Sequence, residues 1–216
     1  NEILTFKLLK DLDHLLRPLR KRISDFNELP NLPEFVENID ELSEIIDEYF
    51  SVPIPIEDSE CIAKLNFDQQ CAYDKVMNVI TTRTGGAFFI DGPGGTGKTY
   101  LYRALLAIVK GRGEIAIPTA TSGIAATLLH QGRTSHSTFQ LPLKPDSSSS
   151  CTFTKGSKTG ILVKHSSVII WDEAPMTHRY QFEAVDRSLK DLMGSDLPFG
   201  GKIIVLEGIL GRFYPS

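Results

Sequence analysis

The run Gly92-Pro93-Gly94-Gly95-Thr96-Gly97-Lys98-Thr99 constrains the fold more than any other stretch of the 216 residues. It satisfies G-x-x-x-x-G-K-[ST], which ordinary residue frequencies produce by chance in fewer than about one in a hundred chains of this length. Ala87 to Asp91 before it reads as a short apolar strand. Residues 98–110 after it read as a helix, with Leu101, Leu105, Leu106 and Val109 on one stripe and Gly111 and Gly113 at its end. Strand, glycine loop and helix aim backbone N–H groups and the positive end of a helix dipole at phosphate oxygens. Glycines let the backbone approach closely and take unusual dihedrals. Lys98 is then placed to bridge two phosphates, and the Thr99 hydroxyl to ligate Mg2+.

Such a loop needs an acid from a neighbouring strand. Val168-Ile169-Ile170-Trp171-Asp172-Glu173 offers two at the C-terminal edge of an apolar run. Asp172 is expected to hold the metal, directly or through water, and Glu173 to polarise an attacking water. The catalytic candidates are therefore Lys98, Asp172 and Glu173, and the metal candidates are Thr99 and Asp172.

Glu114 to Pro118 and Ile203 to Leu206 read as further strands. Helices are expected over 68–82, Ser122 to Gln131 and 178–193, with a loop around His136 and a flexible serine insertion at 147–150. Alternating strands and helices imply an α/β fold, a mostly parallel sheet with helices on both faces. Residues 1–60 differ in character. Leu8, Leu9, Leu12, Leu15, Leu16 and Leu19 recur at helical spacing from Leu4 to Arg22, bent at Pro18, and a second stripe runs from Ile39 to Tyr49. They read as a small helical region, an accessory cover for the core. The division is thus 1–60 helical appendage, 61–206 nucleotide-binding domain and 207–216 aberrant tail.

Composition adds limits. A formal charge of −4 gives no global sign of a polynucleotide partner, so any such contact must be local. Cys61, Cys71 and Cys151 lack the spacing of zinc or redox motifs and read as incidental thiols in a reducing compartment. No apolar run approaches the ~20 residues that cross a bilayer, and no membrane partner is expected. The sequence opens at Asn1 and reads as an excerpt.

Together, five segments resemble the Pif-one-like helicases, superfamily-one enzymes with a RecA-like P-loop fold. They are Leu65-Asn66-Phe67-Asp68-Gln69, the loop Gly92 to Thr99, Thr119-Ala120-Thr121-Ser122-Gly123-Ile124-Ala125-Ala126, Gly132 to Phe139, and Trp171-Asp172-Glu173-Ala174-Pro175-Met176. The stretch Leu8 to Pro33 is similar to the region ahead of the core in plant and transposon-associated members. The resemblance implies ATP-driven movement five-prime to three-prime along single-stranded DNA, in repair, recombination or telomere maintenance. It implies ATP and Mg2+ as cofactors, single-stranded DNA or a duplex junction as partner, and a nuclear location. Gln69 is expected to read the adenine edge beside the ATP-binding loop Gly92, Pro93, Gly94, Gly95, Thr96, Gly97, Lys98 and Thr99. Thr119, Thr121, Ser122, His136, Thr138 and Phe139 are expected to line the DNA path, with a ring stacking on a base. For Phe139 a core position competes with that role, and for His136 a buried hydrogen-bonded one does.

The resemblance stops after Leu206. The family would read Gly-Gly-Asp-Phe-Arg-Gln, whereas this chain reads Glu207-Gly208-Ile209-Leu210-Gly211-Arg212-Phe213. Legal codons for this tail, read two bases later, spell Gly-Asp-Phe-Arg-Gln-Ile-Leu-Pro-Ile. A single-base deletion, or a sequencing or gene-model error, near the codon for Glu207 is therefore expected, leaving one RecA-like domain that does not unwind DNA alone. Two other readings stand beside this one: a non-catalytic nucleotide- or DNA-binding remnant, and an unrelated P-loop ATPase.

Overall fold

The computed structural model describes residues 8–9, 11–13, 15–19, 21, 23–26 and 39–208. The start of the first expected helix at Leu4, the prolines Pro30 and Pro33, and the expected frame-shifted residues 209–216 lie outside them. The chain forms two compact units, Asn1–Pro53 and Ile54–Ser216.

In the first unit the leucine stripe splits. Leu9 is buried and Leu12 and Leu16 half-buried, whereas Leu8, Leu15 and Leu19 are exposed. The second stripe forms helix α1, Ile39–Ser51, which buries Leu42, Ile45 and Ile46 at helical spacing.

The second unit starts earlier than residue 60. Helix α2, Ile56–Glu60, holds Asp58, whose carboxylate has a side-chain exposure of only 3% and accepts from Nε of Arg103 at 2.5 Å. A buried acid must be paired, and this pair ties α2 to the core. Helix α3, Phe67–Thr82, opens with a capping box in which Asn66 and Gln69 exchange side-chain and backbone bonds. Then follow β1 (Gly86–Asp91), α4 (Lys98–Gly111), β2 (Ile115–Ala120), α5 (Gly123–Thr127), β3 (Arg133–Thr134), α6 (Ser135–Phe139), α7 (Lys158–His165), β4 (Ser166–Asp172), α8 (Arg179–Met193) and β5 (Ile203–Gly208).

Among the described residues the sheet has five strands, all parallel, in the order β1-β5-β4-β2-β3. The α4 residues Leu101, Leu105 and Val109 pack on one face of the sheet, and Phe182 of α8 meets Trp171 on the other. Alternate residues confirm two buried faces. Val168, Ile170, Ile203 and Val205 join the cluster of Tyr73, Val76, Leu101, Leu105 and Val109. Trp171 turns the other way, onto Phe139 and Phe182, with ring centroids 5.3 and 4.7 Å apart.

Three expectations change. The helix from Ser122 ends at Thr127 rather than Gln131, the loop around His136 contains α6, and α7 was unforeseen. The serine tract is not a free insertion. Asp146 Oδ1 accepts from Ser148 and Ser149, Arg187 Nε donates to the Ser149 carbonyl at 3.1 Å, and Cys151 N–H donates to Ser188 at 2.9 Å. These bonds pin the tract to α8.

Candidate nucleotide-binding site

Because every strand runs the same way, the loops after β1, β2 and β4 and the end of β5 meet on one edge. The glycine loop follows β1 and feeds directly into α4. Gly97, its last residue before Lys98, has φ +79°, and a Cβ there would lie 2.5 Å from Nε2 of Gln69. The positive φ favours glycine, and a Cβ there would push the Gln69 amide off the loop. Thr96 Oγ1 donates to the Pro93 carbonyl at 2.9 Å and closes the loop. Lys98 Nζ reaches back to the carbonyls of Gly92 at 2.5 Å and Pro93 at 2.9 Å.

Gln69 sits against this loop in a way that differs from the expected contact with adenine. Its Nε2 donates to the carbonyls of Thr96 at 3.0 Å and Gly97 at 3.3 Å, while its Oε1 accepts from Asn66 N–H. Both amide protons are therefore committed to the loop, and the side chain braces it.

Asp172 ends β4 and Glu173 follows it. Glu173 takes a left-handed backbone, φ 54° and ψ 33°, a conformation that costs a non-glycine residue ~1–3 kcal/mol. The Thr121 hydroxyl holds it there by donating to the Glu173 carbonyl at 2.8 Å, and itself accepts from Trp171 Nε1 at 3.2 Å. The Oε2 atom of Glu173 is buried with no hydrogen-bond partner. A carboxylate oxygen held in this way is free to accept a proton from a water molecule.

Sequence reasoning missed the group at the centre of the site. Glu207, near the end of β5, lies with Oε1 3.3 Å from Lys98 Nζ, and the two side chains are 10% and 12% exposed. Its Oε2 accepts from Glu173 N–H at 3.1 Å, and it is hydrogen-bonded to Asp172. Burial, followed by the Glu207 hydrogen bond and charge, pushes the Asp172 carboxyl up to about 8. Burial also opposes ionisation of Glu207, yet hydrogen bonds from Asp172, Glu173 N–H and Lys98 hold it below its ordinary value. The two carboxyl groups share this contact, and it shifts Asp172 upward and Glu207 downward. The signal was legible as an acid ending an apolar strand, the same cue that marked Asp172.

These groups border a cleft of about 840 Å³, which Ile124, Leu128 and Met176 also line. Among the described residues no three His, Cys, Asp or Glu side chains form a metal cluster. The Thr99 hydroxyl and the Asp172 carboxylate face the same cleft, and both are hard oxygen donors. That donor set fits Mg2+, which takes few protein ligands and fills the rest of its shell with water and phosphate oxygen.

The six expected DNA-path residues do not form an outward-facing track. Thr119 is fully buried and donates to the Arg133 carbonyl, Thr121 turns inward as described, and Ser122 caps α5. Thr138 is buried, and His136 Nε2 lies 3.1 Å from Gln181 Nε2. Phe139 is fully buried against Trp171, so base stacking gives way to the competing core reading. Thr119, Thr121 and Ser122 bond to the framework, while the hydroxyls of Ser135 and Thr138 are buried without a hydrogen-bond partner.

The model of the PIF1-like helicase family matches residues 64–215. Among curated proteins, the chain is 33% identical over 129 residues to the ATP-dependent DNA helicase Pif1 of Psychrobacter sp. (strain PRwf-1), and 34% identical over 136 residues to the ATP-dependent DNA helicase PIF1 of Trypanosoma brucei brucei. These matches cover 58% and 62% of this chain but 19% and 13% of the two proteins. The crystal structure of Pif1 helicase from Bacteroides in complex with ADP-AlF3 and ssDNA superposes with a TM-score of 0.56 at 30% identity, over 70% of this chain and 34% of that one.

Proposed function

The chain belongs to the PIF1-like helicase family, and we propose that it supplies the ATP site of a DNA helicase that moves five-prime to three-prime along single-stranded DNA. The observation that supports this most is the convergence of Lys98, Asp172 and Glu173 at the C-terminal edge of one parallel sheet. The loop N–H groups and Lys98 bind phosphate oxygens. Thr99 and Asp172 would hold Mg2+, which would neutralise phosphate charge. Glu173 Oε2, buried and without a partner, takes the proton of the attacking water.

The Bacteroides relative was solved with ADP-AlF3 and ssDNA, which favours ATP and single-stranded DNA, or a single-strand junction, as ligands here. We extend the same reading to work in DNA repair, recombination or telomere maintenance, and to a nuclear location. The chain spans about a third of that solved chain, so strand separation is proposed only for the helicase as a whole.

Calorimetric titration of the 216-residue chain with Mg-ATP is the test. Lys98→Ala should weaken binding at least about 100-fold, a loss of ~2.7 kcal/mol. Equal affinity for the two proteins would remove the phosphate-loop assignment.

A further inference from the structure

The Glu207 carboxylate occupies a place of particular chemistry. A lysine at the mouth of a phosphate loop reaches the β- and γ-phosphates, while the loop N–H groups cradle the phosphates nearer the nucleoside. Glu207 approaches this lysine from β5, beside Asp172 on β4, the side where the terminal phosphate and its metal belong. It is an anion on the same cation, 3.3 Å away and nearly buried. It also accepts the Glu173 N–H at 3.1 Å, a second donor on the catalytic side of the cleft. One carboxylate therefore uses the lysine that a terminal phosphate would use.

We propose that Glu207 stands in for the terminal phosphate and makes this site selective for nucleoside diphosphate over triphosphate. The proposal rests on the ATP-site reading and names which nucleotide that site holds best. A diphosphate fills the loop and leaves the Lys98–Glu207 pair intact. A triphosphate brings its last phosphate into contact with a buried carboxylate and must displace it. Displacement breaks the ion pair and leaves the Glu207 carboxylate facing the added phosphate charge without its lysine. Like charges in contact repel, so the penalty falls on the triphosphate alone.

The experiment titrates the 216-residue chain with Mg-ADP and Mg-ATP, using wild type, Glu207→Gln, Glu207→Gly and Lys98→Ala. Wild type should bind ADP more tightly than ATP. Glu207→Gln, which keeps the shape and removes the charge, should tighten ATP about tenfold, equivalent to ~1.4 kcal/mol, and leave ADP within about twofold. Glu207→Gly should do the same, and thermal melts of both variants establish that they are folded. Equal changes for the two nucleotides, or no gain for ATP in either folded variant, would overturn the proposal while the Lys98→Ala loss kept the ATP site. Nucleotide binding indifferent to Lys98→Ala would remove the site and the proposal together.

Discussion

The loop after β1 and the segment from Thr119 to Phe139 both carry motifs that the sequence marks for ligand contact, yet they use their polar groups in opposite ways. Around Lys98 the groups crowd together: three carboxyl groups, one of them paired with the lysine, a buried carboxylate oxygen with no partner and a left-handed Glu173. From Thr119 to Phe139 the side chains mainly serve the framework, capping helices, bracing carbonyls and filling the core. The difference separates two reasons for a motif to exist. One holds charges ready for a ligand; the other holds the scaffold that aims them, and Thr121 joins the two by fixing the Glu173 backbone.

The largest expected effect breaks the scaffold side. Phe139→Ala removes a fully buried ring packed on Trp171 and should destabilise the fold by ~3–5 kcal/mol. Below the melting transition, Mg-ATP affinity should stay within about twofold, because the ring touches none of the phosphate-loop groups. Denaturant unfolding monitored by Trp171 fluorescence measures the first quantity and calorimetry the second. A stability loss under ~1 kcal/mol, together with weakened binding of an oligodeoxynucleotide, would return Phe139 to the DNA path.

The next effect belongs to the charged side and concerns pH. Asp172 has a carboxyl pushed up to about 8 from an ordinary 3.8. Between those values the folded chain binds more protons at Asp172 than the unfolded chain does, so stability falls as pH rises through this window. Glu207 is shifted in the opposite direction. Its contribution is present above its unfolded value and is lost as pH falls through the lower folded one. Melting temperature should therefore decline from mildly acidic to mildly alkaline pH, and Asp172→Asn should flatten that decline. A slope identical in wild type and Asp172→Asn would place the pH dependence elsewhere. Phe139→Ala should shift the curve without changing its slope, which keeps the two regions distinct.

How much of this was legible depended on whether a local pattern or a distant partner decided the outcome. The strand–loop–helix around Lys98 and the strand ending in Asp172 were readable because glycines, apolar runs and terminal acids act within a few residues. Helix α7 was not, since Lys158–His165 carries a weak apolar stripe and is stabilised by its Ser157 cap and the packing of Ile161 and Val163. The serine tract looked flexible by composition, but Arg187, 38 residues away, holds it. Glu207 escaped notice as a site residue for a similar reason: its meaning comes from Lys98 at the start of α4 and Asp172 at the end of β4, which the sheet order brings beside it.

The smallest expected effect sharpens the comparison at Gln69, the one residue that sequence resemblance assigns to the base and the structure assigns to the loop. Its Nε2 gives both protons to the Thr96 and Gly97 carbonyls, and its Oε1 completes the cap of α3. If bracing is its role, Gln69→Ala loosens the loop for every purine nucleotide alike. ATP and GTP affinities should then fall together by about two- to threefold, less than the tenfold that ~1.4 kcal/mol represents. Stability should drop by ~1 kcal/mol as the capping box is lost. If Gln69 instead reads the adenine edge, a site built to hydrogen-bond that edge loses its preference when the amide goes, so ATP weakens while GTP does not. Parallel titrations with ATP and GTP separate the two roles, because bracing changes both affinities and leaves their ratio alone. A selective loss for ATP would move Gln69 from the scaffold to the ligand-contacting side of the molecule.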